Sequence, residues 1–256
     1  MKILFLGTGG SMGTPVIGCQ CKACSSKDPK NHRLRPSILI TSGKKRFLVD
    51  VGPDFRAQAL RYGINSLDGL LLTHTHYDHI AGLDELRIYT FVHKKPIPCL
   101  LSKESLEDLK IRYHYFLPLE KSDDVHEPKL AFQLLENDQG QTTFEGLELS
   151  YFSYDQLGMK VNGFRFGSFA YVTDLLDYNE TLFKALEGTQ TLILNGRRFK
   201  KSKAHISIEE GIKIAKKIGA KKTYFTHISH EIEHEEASKK LPEGFFLAYD
   251  GLELIN

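Results

Sequence analysis

The 256-residue sequence lacks any long hydrophobic run and carries little net charge. A membrane-spanning helix needs about 20 consecutive apolar residues, and no segment approaches that length. The apolar run at residues 3–6 is also far shorter than the core of a secretory signal peptide. With 34 basic and 32 acidic residues, the net charge of +2 does not indicate nucleic acid or an anionic membrane as the main partner. We therefore expect a cytoplasmic protein that does not associate with membranes.

Cysteine is scarce, but three of the four cysteines in the chain are clustered. Cys19, Cys21 and Cys24 lie within six residues, whereas Cys99 lies in a separate apolar run and is expected to be buried. Disulfides are rare in cytosolic proteins, and a tight thiolate cluster more often binds zinc. Chance clustering of reduced thiols is the alternative. A tetrahedral zinc site would need a fourth ligand from elsewhere in the chain.

Short apolar runs alternate with segments of helical periodicity, which is typical of an α/β protein, and we expect a single domain over residues 1–256. Strands are predicted at residues 3–6, 37–40, 47–50, 69–72, 99–101, 149–152, 164–166, 169–172, 191–194, 223–225, 245–248 and 252–255. Helices are predicted near residues 54–62, 81–91, 103–114, 178–187, 207–218 and 233–240. The helix at 207–218 is the clearest, because Ser207 and Glu210 form a capping-box pattern and Gly219 can end it. The polar segment 120–141 is predicted to be a hairpin or a loop insertion.

Four predicted strands end in side chains that can hold a metal or orient a ligand. These residues are Asp50, His74, Asp174 and His227, and the last three each follow a threonine. In α/β sheets, ligands collect outside the carboxyl ends of the strands. Residues far apart in the sequence are therefore expected to converge on one sheet edge.

The segment from His74 to His79 reads HTHYDH and carries the densest set of metal-binding side chains. His74 and His76 point the same way in an extended loop, and Asp78 and His79 follow at once. Imidazole and carboxylate groups suit Zn, Mn or Fe. This density predicts one or two neighbouring metal sites.

The HxHxDH pattern resembles that of the metallo-β-lactamase superfamily, and the resemblance extends over nearly the whole chain. It implies a four-layer αββα sandwich of the α/β class with metals at the sheet edge. Further segments are similar to the PhnP-like branch, which contains cyclic phosphodiesterases with an added structural zinc, and PqqB proteins share part of the pattern. These segments are residues 7–11, 18–25, 33–37, 226–230, 241–244 and 248–251.

The resemblance also implies roles for individual residues. The implied ligands of the active-site metals are His74 and His76 for the first ion, Asp78, His79 and His227 for the second, and Asp174 as the bridge. The implied ligands of the structural zinc are Cys19, Cys21, Cys24 and His230. His205 matches a catalytic histidine beside the substrate, Asp78 also counts as catalytic, and Asp50 matches a carboxylate that orients a ligand histidine. The implied cofactors are the structural zinc and one or two Zn or Mn ions in the active site.

Gln156 departs from this pattern. Such proteins usually carry one more metal-binding histidine before the segment at residues 163–165, and Gln156 occupies that place. No histidine lies between residues 127 and 204. An amide carbonyl is a weaker zinc ligand than imidazole, and the neighbouring Asp155 is a candidate substitute. The first metal is therefore expected to be held weakly. A site with one metal, selection of a harder ion such as Mn and reduced activity are the possible consequences.

The implied activity is metal-assisted hydrolysis of a phosphodiester, with a small cyclic phosphate or nucleotide ester as the favoured substrate class. His205 would protonate the leaving alkoxide or bind the phosphate. The basic run at residues 197–203 would attract a phosphorylated or nucleic-acid substrate, unless it is simply a solvated loop. The alternatives are a tRNase Z-like RNA-processing nuclease, a PqqB-like cofactor-synthesis protein and a non-catalytic metal-bound scaffold. The sequence leaves open a nucleic-acid partner and a homodimer, neither of which it favours.

Overall fold

Two seven-stranded sheets pack face to face, and helices cover the outer face of each sheet. The computed structural model describes residues 1–115, 129–200 and 202–255. The architecture is the four-layer αββα sandwich that the sequence predicts, so this prediction is confirmed. Within the described part of the chain, none of the helices has the length and apolar character needed to cross a membrane.

The strands in chain order are β1 (Lys2–Gly7), β2 (Ser37–Ser42), β3 (Lys45–Val49), β4 (Gly69–Leu71), β5 (Ile97–Ser102), β6 (Leu130–Leu135), β7 (Gln139–Phe144), β8 (Leu147–Gln156), β9 (Met159–Phe166), β10 (Phe169–Val172), β11 (Thr191–Asn195), β12 (Lys222–Thr226), β13 (Phe245–Leu247) and β14 (Glu253–Ile255). The α-helices are α1 (Phe55–Tyr62), α2 (Tyr77–Ile80), α3 (Arg87–His93), α4 (Lys103–Arg112), α5 (Glu180–Ala185), α6 (Ile208–Ile218) and α7 (His234–Ser238). Short 3₁₀ turns lie at Pro29–Asn31 and Leu83–Leu86.

Both sheets combine an antiparallel part with a parallel part. The first sheet has the order β14-β1-β2-β3-β4-β5-β6, and its strands are parallel from β3 to β6. The second has the order β13-β12-β11-β10-β9-β8-β7, and its strands are parallel from β10 to β13. Parallel strands end at the same edge of a sheet, so the residues that follow β3, β4, β10 and β12 can meet there.

Side chains alternate between the two faces of each strand, which separates the core between the sheets from the cores beneath the helices. In β1, Phe5 faces the other sheet and Leu6 faces the helices, because successive side chains of a strand point to opposite faces. Between the sheets, the rings of Phe47 and Phe144 lie 6.1 Å apart and are almost fully buried. Truncating a buried phenylalanine to alanine costs about 3–5 kcal/mol. Strands that are buried on both faces read as the continuous apolar runs seen in the sequence.

Helix α6 begins and ends as its sequence predicts. Ser207 Oγ accepts a hydrogen bond from Glu210 N at 3.1 Å, and Gly219 ends the helix with a φ of 82°. Ile208 and Ala215 bury the inner face of the helix against the second sheet. The capped start of α6 therefore gives a fixed anchor to the loop that precedes it.

The segment 120–141 differs from its prediction. Residues 120–128 lie outside the described part of the chain, and the remainder contains all of β6 and the start of β7. These two strands belong to different sheets, so the expectation of a hairpin was wrong. Both lie at sheet edges and are partly exposed. The polar sequence of β7 explains why it gave no clear strand pattern, whereas β6 is apolar apart from Gln133. The helix predicted near 81–91 is a 3₁₀ turn followed by α3, and Cys99 is buried as expected.

Candidate metal centre

The four polar residues at the strand ends converge at one edge of the sandwich. Asp50, His74, Asp174 and His227 follow β3, β4, β10 and β12, and each is at most 2% exposed. Asp50, Asp174 and His227 have positive φ angles of 61°, 55° and 56°. This left-handed backbone costs a non-glycine residue on the order of 1 kcal/mol or more, and it recurs at functional sites. The convergence expected from the strand ends is observed.

One group of potential ligands combines α2 with the end of β12. Asp78 and His79 lie in α2, and His227 Nε2 lies 3.2 Å from Asp78 Oδ2. Helix α2 packs closely on the loop after β3, because a side chain on Gly52 would meet Asp78 O at 2.2 Å. Asp78, His79 and His227 offer ligand atoms that all lie within 4.8 Å of one another.

Asp50 orients His79. His79 Nδ1 donates to Asp50 Oδ2 at 2.7 Å, and Asp50 also accepts from the backbone and hydroxyl of Thr73, both at 2.8 Å. Burial raises the pKa of Asp50, although its contacts with His79 and Thr73 oppose that rise. With Nδ1 committed, His79 presents Nε2 to the cluster, where this buried nitrogen makes no hydrogen bond of its own. A carboxylate behind a histidine is the usual support of a metal-binding imidazole.

The second group contains His74, His76 and Asp174, whose ligand atoms also lie within 4.8 Å of one another. Thr73 Oγ1 uses its single proton toward Asp50, so its 2.9 Å contact with His74 Nδ1 must be a bond donated by Nδ1. His74 Nε2 is then unprotonated and lies 2.9 Å from His76 Nδ1. His76 Nδ1 can donate a hydrogen bond to it at this distance, and the same two nitrogens are close enough to bind one metal ion.

Asp174 lies between the two groups and also forms a third one with His205 and His227. Its Oδ2 lies 3.2 Å from His79 Nε2, and its Oδ1 lies 3.3 Å from His227 Nε2. The same carboxylate belongs to the group formed with His74 and His76. Asp174 therefore stands where a bridging ligand of two metals would stand.

The electrostatics of the cluster favour a cation. Burial would raise the pKa values of Asp78 and Asp174, but the nearby histidines outweigh burial and lower both pKa values. Burial would lower the pKa of His79, but Asp78, Asp174 and Asp50 raise it well above its usual range. Positive charge on the histidines balances these ionised carboxylates, and a divalent metal bound to the same groups would take its place. The imidazole and carboxylate donors fit Zn or Mn, although their role as ligands remains a prediction.

Gln156 lies beside Asp174 and His205, at the end of β8. Its Nε2 donates to Ala204 O at 2.9 Å and lies 3.4 Å from Asp174 Oδ1. A carbonyl oxygen only accepts, so this contact fixes which end of the amide faces Ala204. Gln156 Oε1 is buried without a hydrogen-bond partner. Asp155, in contrast, is exposed, and its Oδ1 accepts from Gly158 N at 2.8 Å, so the expectation that it substitutes for the missing histidine was wrong.

His205 is buried next to the cluster. Its ring centroid lies 4.7 Å from that of His227, and its Nδ1 lies 3.6 Å from Asp174 Oδ1 and 3.3 Å from Gln156 Nε2. Ser202 Oγ accepts from His205 N and donates to His205 O, both at 2.9 Å, which fixes the loop. Burial and the charge of His227 lower the pKa of His205 to about 4. At pH 7 the imidazole of His205 is therefore neutral. It can donate a hydrogen bond to a substrate, but it carries no additional proton to release.

The three clustered cysteines meet His230 away from this edge cluster. Cys19 Sγ and Cys21 Sγ lie 3.3 Å and 3.4 Å from His230 Nδ1, and Cys24 joins the same group. The Zn–S and Zn–N bond lengths of a tetrahedral site place sulfur and nitrogen about 3.5 Å apart, so the set fits zinc. Burial would raise the pKa of Cys21, but hydrogen bonds to Cys24 and His230 lower it to about 6. The fourth residue that the resemblance supplied is thus beside the cysteines, and its role as a ligand remains a prediction.

Two supporting residues were not singled out from the sequence. Thr73 bonds both Asp50 and His74, and Asn162 Nδ2 donates to Thr73 O at 2.9 Å. A threonine precedes each of His74, Asp174 and His227, and this recurrence was a sequence signal for Thr73. Asn162 lies in β9 without any such pattern.

Comparison with known proteins places the chain in a family. Residues 45–228 match the sequence profile of the Beta-lactamase superfamily domain. The chain belongs to this superfamily. Together with the fold, the match makes it a metallo-β-lactamase-fold protein, and the resemblance drawn from the HxHxDH segment is confirmed.

Similar proteins within the superfamily include a solved diphosphatase from the PhnP family. That structure is 36% identical, with a TM-score of 0.89, and the match covers 99% of this chain and 96% of that one. A protein of Porphyromonas gingivalis named octanoyltransferase is 36% identical over 266 residues. The match takes in all of this chain but 51% of that protein, so this chain spans about half of its length. A ribonuclease Z of Mycolicibacterium gilvum is 44% identical over 66 residues, which are 25% of this chain and 23% of that protein.

Proposed function

We propose that the protein is a metal-dependent phosphodiesterase that hydrolyses small phosphorylated substrates, namely cyclic phosphates, nucleotide esters or diphosphates. The observation that carries the proposal is Asp174, which forms one group of potential ligands with His74 and His76 and lies 3.2 Å from His79 Nε2 in the other. His205 lies beside it. Two metals that share a carboxylate suit phosphoryl chemistry, because they can act on the attacking and the leaving oxygen of one phosphate. The similarity to a PhnP-family diphosphatase supports the same class of reaction.

The residues of the cluster would have separate roles in binding metal and in orienting the ligands. His74 and His76 would hold one metal, Asp78, His79 and His227 the other, and Asp174 would touch both. A divalent metal bound there supplies Lewis-acid activation of water and of a phosphoryl oxygen at neutral pH. Asp50 and Thr73 keep the imidazoles in the correct tautomer and orientation.

His205 would act on the substrate. Its neutral ring would donate a hydrogen bond to a phosphoryl oxygen, or take a proton from the attacking water and pass it to the leaving alkoxide. Gln156 and Ser202 hold the residue in place through the contacts described above. The cysteine site would hold a structural zinc, since three thiolates and an imidazole close the tetrahedron and leave no position for water.

A substrate panel tests the proposal. Protein loaded with Zn or Mn is assayed with a 2′,3′-cyclic nucleotide, bis(p-nitrophenyl) phosphate, a dinucleoside diphosphate and a precursor tRNA, each with and without chelator. We expect chelator-sensitive hydrolysis of at least one of the small substrates. Full metal loading without turnover of any of them would overturn the proposal and favour a metal-bound scaffold, and oxygen-dependent turnover would favour a PqqB-like role.

RNA processing is the second candidate, because part of the chain is similar to ribonuclease Z. The match covers about a quarter of each protein, and the net charge of +2 provides little general attraction for RNA. Cleavage of the precursor tRNA with no activity on the small substrates would establish this candidate in place of the first.

A further inference from the structure

His227 differs from His74 and His79 because no polar group supports its ring from behind. His79 Nδ1 donates to Asp50 and His74 Nδ1 donates to Thr73, so both of these imidazoles are oriented by a partner. His227 Nδ1 is buried, and it makes no hydrogen bond within the part of the chain that the structure describes. A metal-binding histidine usually donates its other ring N–H to such a partner. The orientation of His227 must therefore come from its backbone and from the residues packed around it.

The backbone of the loop after β12 is held by the turn that follows β1. His227 has a φ of 56°, a left-handed conformation that costs a non-glycine residue on the order of 1 kcal/mol or more and persists where the surroundings impose it. Ile228 N donates to Thr8 O, and Ile228 O accepts from Gly10 N, both at 2.9 Å. A side chain on Gly10 would lie 3.4 Å from His227 Nδ1, so the chain passes close behind the ring. These contacts fix the first half of the loop.

The second half of the same loop reaches the cysteine group. His230 lies three residues after His227, and three residues of chain span at most about 11 Å. His230 Nδ1 lies 3.3 Å from Cys19 Sγ and 3.4 Å from Cys21 Sγ, and Cys21 Sγ also contacts the carbonyl oxygen of His230 at 3.2 Å. The loop thus contributes one side chain to the edge cluster and another to the cysteine group.

We propose that His230 is a positioning residue for the candidate metal centre, and that it fixes the loop of His227 when it binds zinc together with the three cysteines. This inference rests on the proposed metal-dependent function, because it needs a metal at the edge cluster. The bonds of a tetrahedral zinc site are shorter and stronger than hydrogen bonds, so they would restrict a loop whose histidine has no partner of its own. Occupation of the cysteine site would raise the affinity of Asp78, His79 and His227 for their metal.

Metal affinity, measured without turnover, tests the inference. The protein is dialysed against a mild chelator until it keeps only the thiolate-bound zinc, and is then titrated with Mn²⁺ while electron paramagnetic resonance follows the free ion. His230→Ala removes the connection between the cysteines and the loop. We expect the affinity of the tighter Mn²⁺ site, that of Asp78, His79 and His227, to fall about 5- to 150-fold, the usual range of coupling between two sites.

Two further variants show whether the effect passes through the cysteine site. His230→Cys restores a fourth ligand, because zinc also binds four cysteines, and its Mn²⁺ affinity should return to within about threefold of the wild type. Cys99→Ser is the control for a general loss of stability, since this buried thiol lies in β5 and belongs to neither metal group. Its Mn²⁺ affinity should equal that of the wild type. Elemental analysis gives the zinc content of each protein.

An unchanged Mn²⁺ affinity in His230→Ala would overturn the inference. An equal loss of affinity in Cys99→Ser would also overturn it, as would a zinc-loaded His230→Cys that keeps the low affinity. Should His230→Ala fold poorly, His230→Gln replaces the imidazole with a weaker ligand, and a smaller fall in affinity is then expected. An unchanged affinity in His230→Gln would contradict the inference.

Turnover measured on the same proteins separates this inference from the proposed function. If the wild type hydrolyses a small phosphodiester but its Mn²⁺ affinity does not depend on His230, the function stands and the inference fails. If the affinity depends on His230 but no substrate is hydrolysed, the inference stands and the hydrolytic function fails.

Discussion

Asp50 and His79 are joined by a 2.7 Å hydrogen bond between two side chains that solvent does not reach, 29 residues apart in the sequence. The bond turns the free Nε2 of His79 toward Asp78 and Asp174. Any metal at this edge is therefore approached by an imidazole whose tautomer is already set.

The cysteine site is predicted to hold one structural zinc. Cys21→Ser removes one of three thiolates, and we expect it to release one zinc per chain and to lower the melting temperature, because metal binding is coupled to folding in such sites. Elemental analysis and thermal unfolding measure both effects. Cys99→Ser is the control, since this buried thiol lies in β5 and its loss should lower stability without releasing zinc. Unchanged zinc content and melting temperature in Cys21→Ser would exclude the site.

His205 is predicted to act on the substrate and not to retain the metal. His205→Ala should keep the metal content and reduce kcat by about 10²–10⁴, the usual scale of general acid–base assistance. The exposed His93 offers a control, and His93→Ala should leave both quantities unchanged. His205 also lies within ligand distance of Asp174 and His227, so loss of metal in His205→Ala would reassign it as a ligand.

Gln156 is predicted to weaken the first metal site. Its Nε2 is committed to Ala204, and its single carbonyl oxygen is a poorer zinc ligand than imidazole. Gln156→His should raise metal occupancy and the rate of phosphodiester hydrolysis, whereas Gln141→His on the exposed face of β7 should change neither. Metal titration follows occupancy directly. Two equally tight metals in the wild type, with no change in Gln156→His, would show that the substitution has no consequence.

Asp250 should make stability depend on pH in the acid range. Its carboxylate accepts from Leu34 N and Thr8 Oγ1, both at 2.7 Å, and burial raises its pKa from 3.8 to about 6. The folded state therefore binds this proton more tightly than the unfolded state. The resulting stabilisation, roughly 2–3 kcal/mol, is complete below about pH 4 and is lost as the pH rises through 6.

Denaturant unfolding of the wild type and of Asp250→Asn from pH 4 to 7 measures this contribution. The free energy of unfolding of the wild type, relative to that of the variant, should fall by that amount as the pH rises. Subtracting the two free energies of unfolding removes the contribution of the titratable groups that both proteins share. A difference that does not vary with pH would mean that the carboxyl group is solvated in the folded state.

The fold and the composition of the site follow from local patterns, but several contacts do not. Apolar runs that end in Asp50, His74, Asp174 and His227 indicated a common edge, because the ends of parallel strands meet there. The sequence did not indicate that Thr73 would link Asp50 to His74, since that contact depends on the registration of β3 with β4. Spacing alone likewise could not place a given side chain of the β8–β9 turn inside or outside the site.

The turn at the end of β8 shows that spacing alone does not predict which side chain enters the site. Gln156 and Asp155 are neighbours, and alternation along the strand turns one into the site and the other to solvent. Sequence reasoning offered Asp155 as a substitute ligand because its carboxylate has the better chemistry, whereas the position of its side chain excludes it. The edge strand β7 was missed for a related reason, since a strand that is exposed on one side need not be apolar. The same reason does not apply to β6, which is apolar apart from Gln133.

Metal content and turnover of Asp78→Ala test the central claim most directly, which is that the His/Asp cluster is a hydrolytic metal centre. Asp78 is 5% exposed and contributes a carboxylate oxygen 3.2 Å from His227 Nε2. We expect Asp78→Ala to lose phosphodiesterase activity and active-site metal while it keeps the fold and the cysteine-bound zinc. Asp84→Ala, which removes the partner of Arg87 in an exposed ion pair, should match the wild type. Full activity with unchanged metal content in Asp78→Ala would contradict the account, and so would loss of the fold.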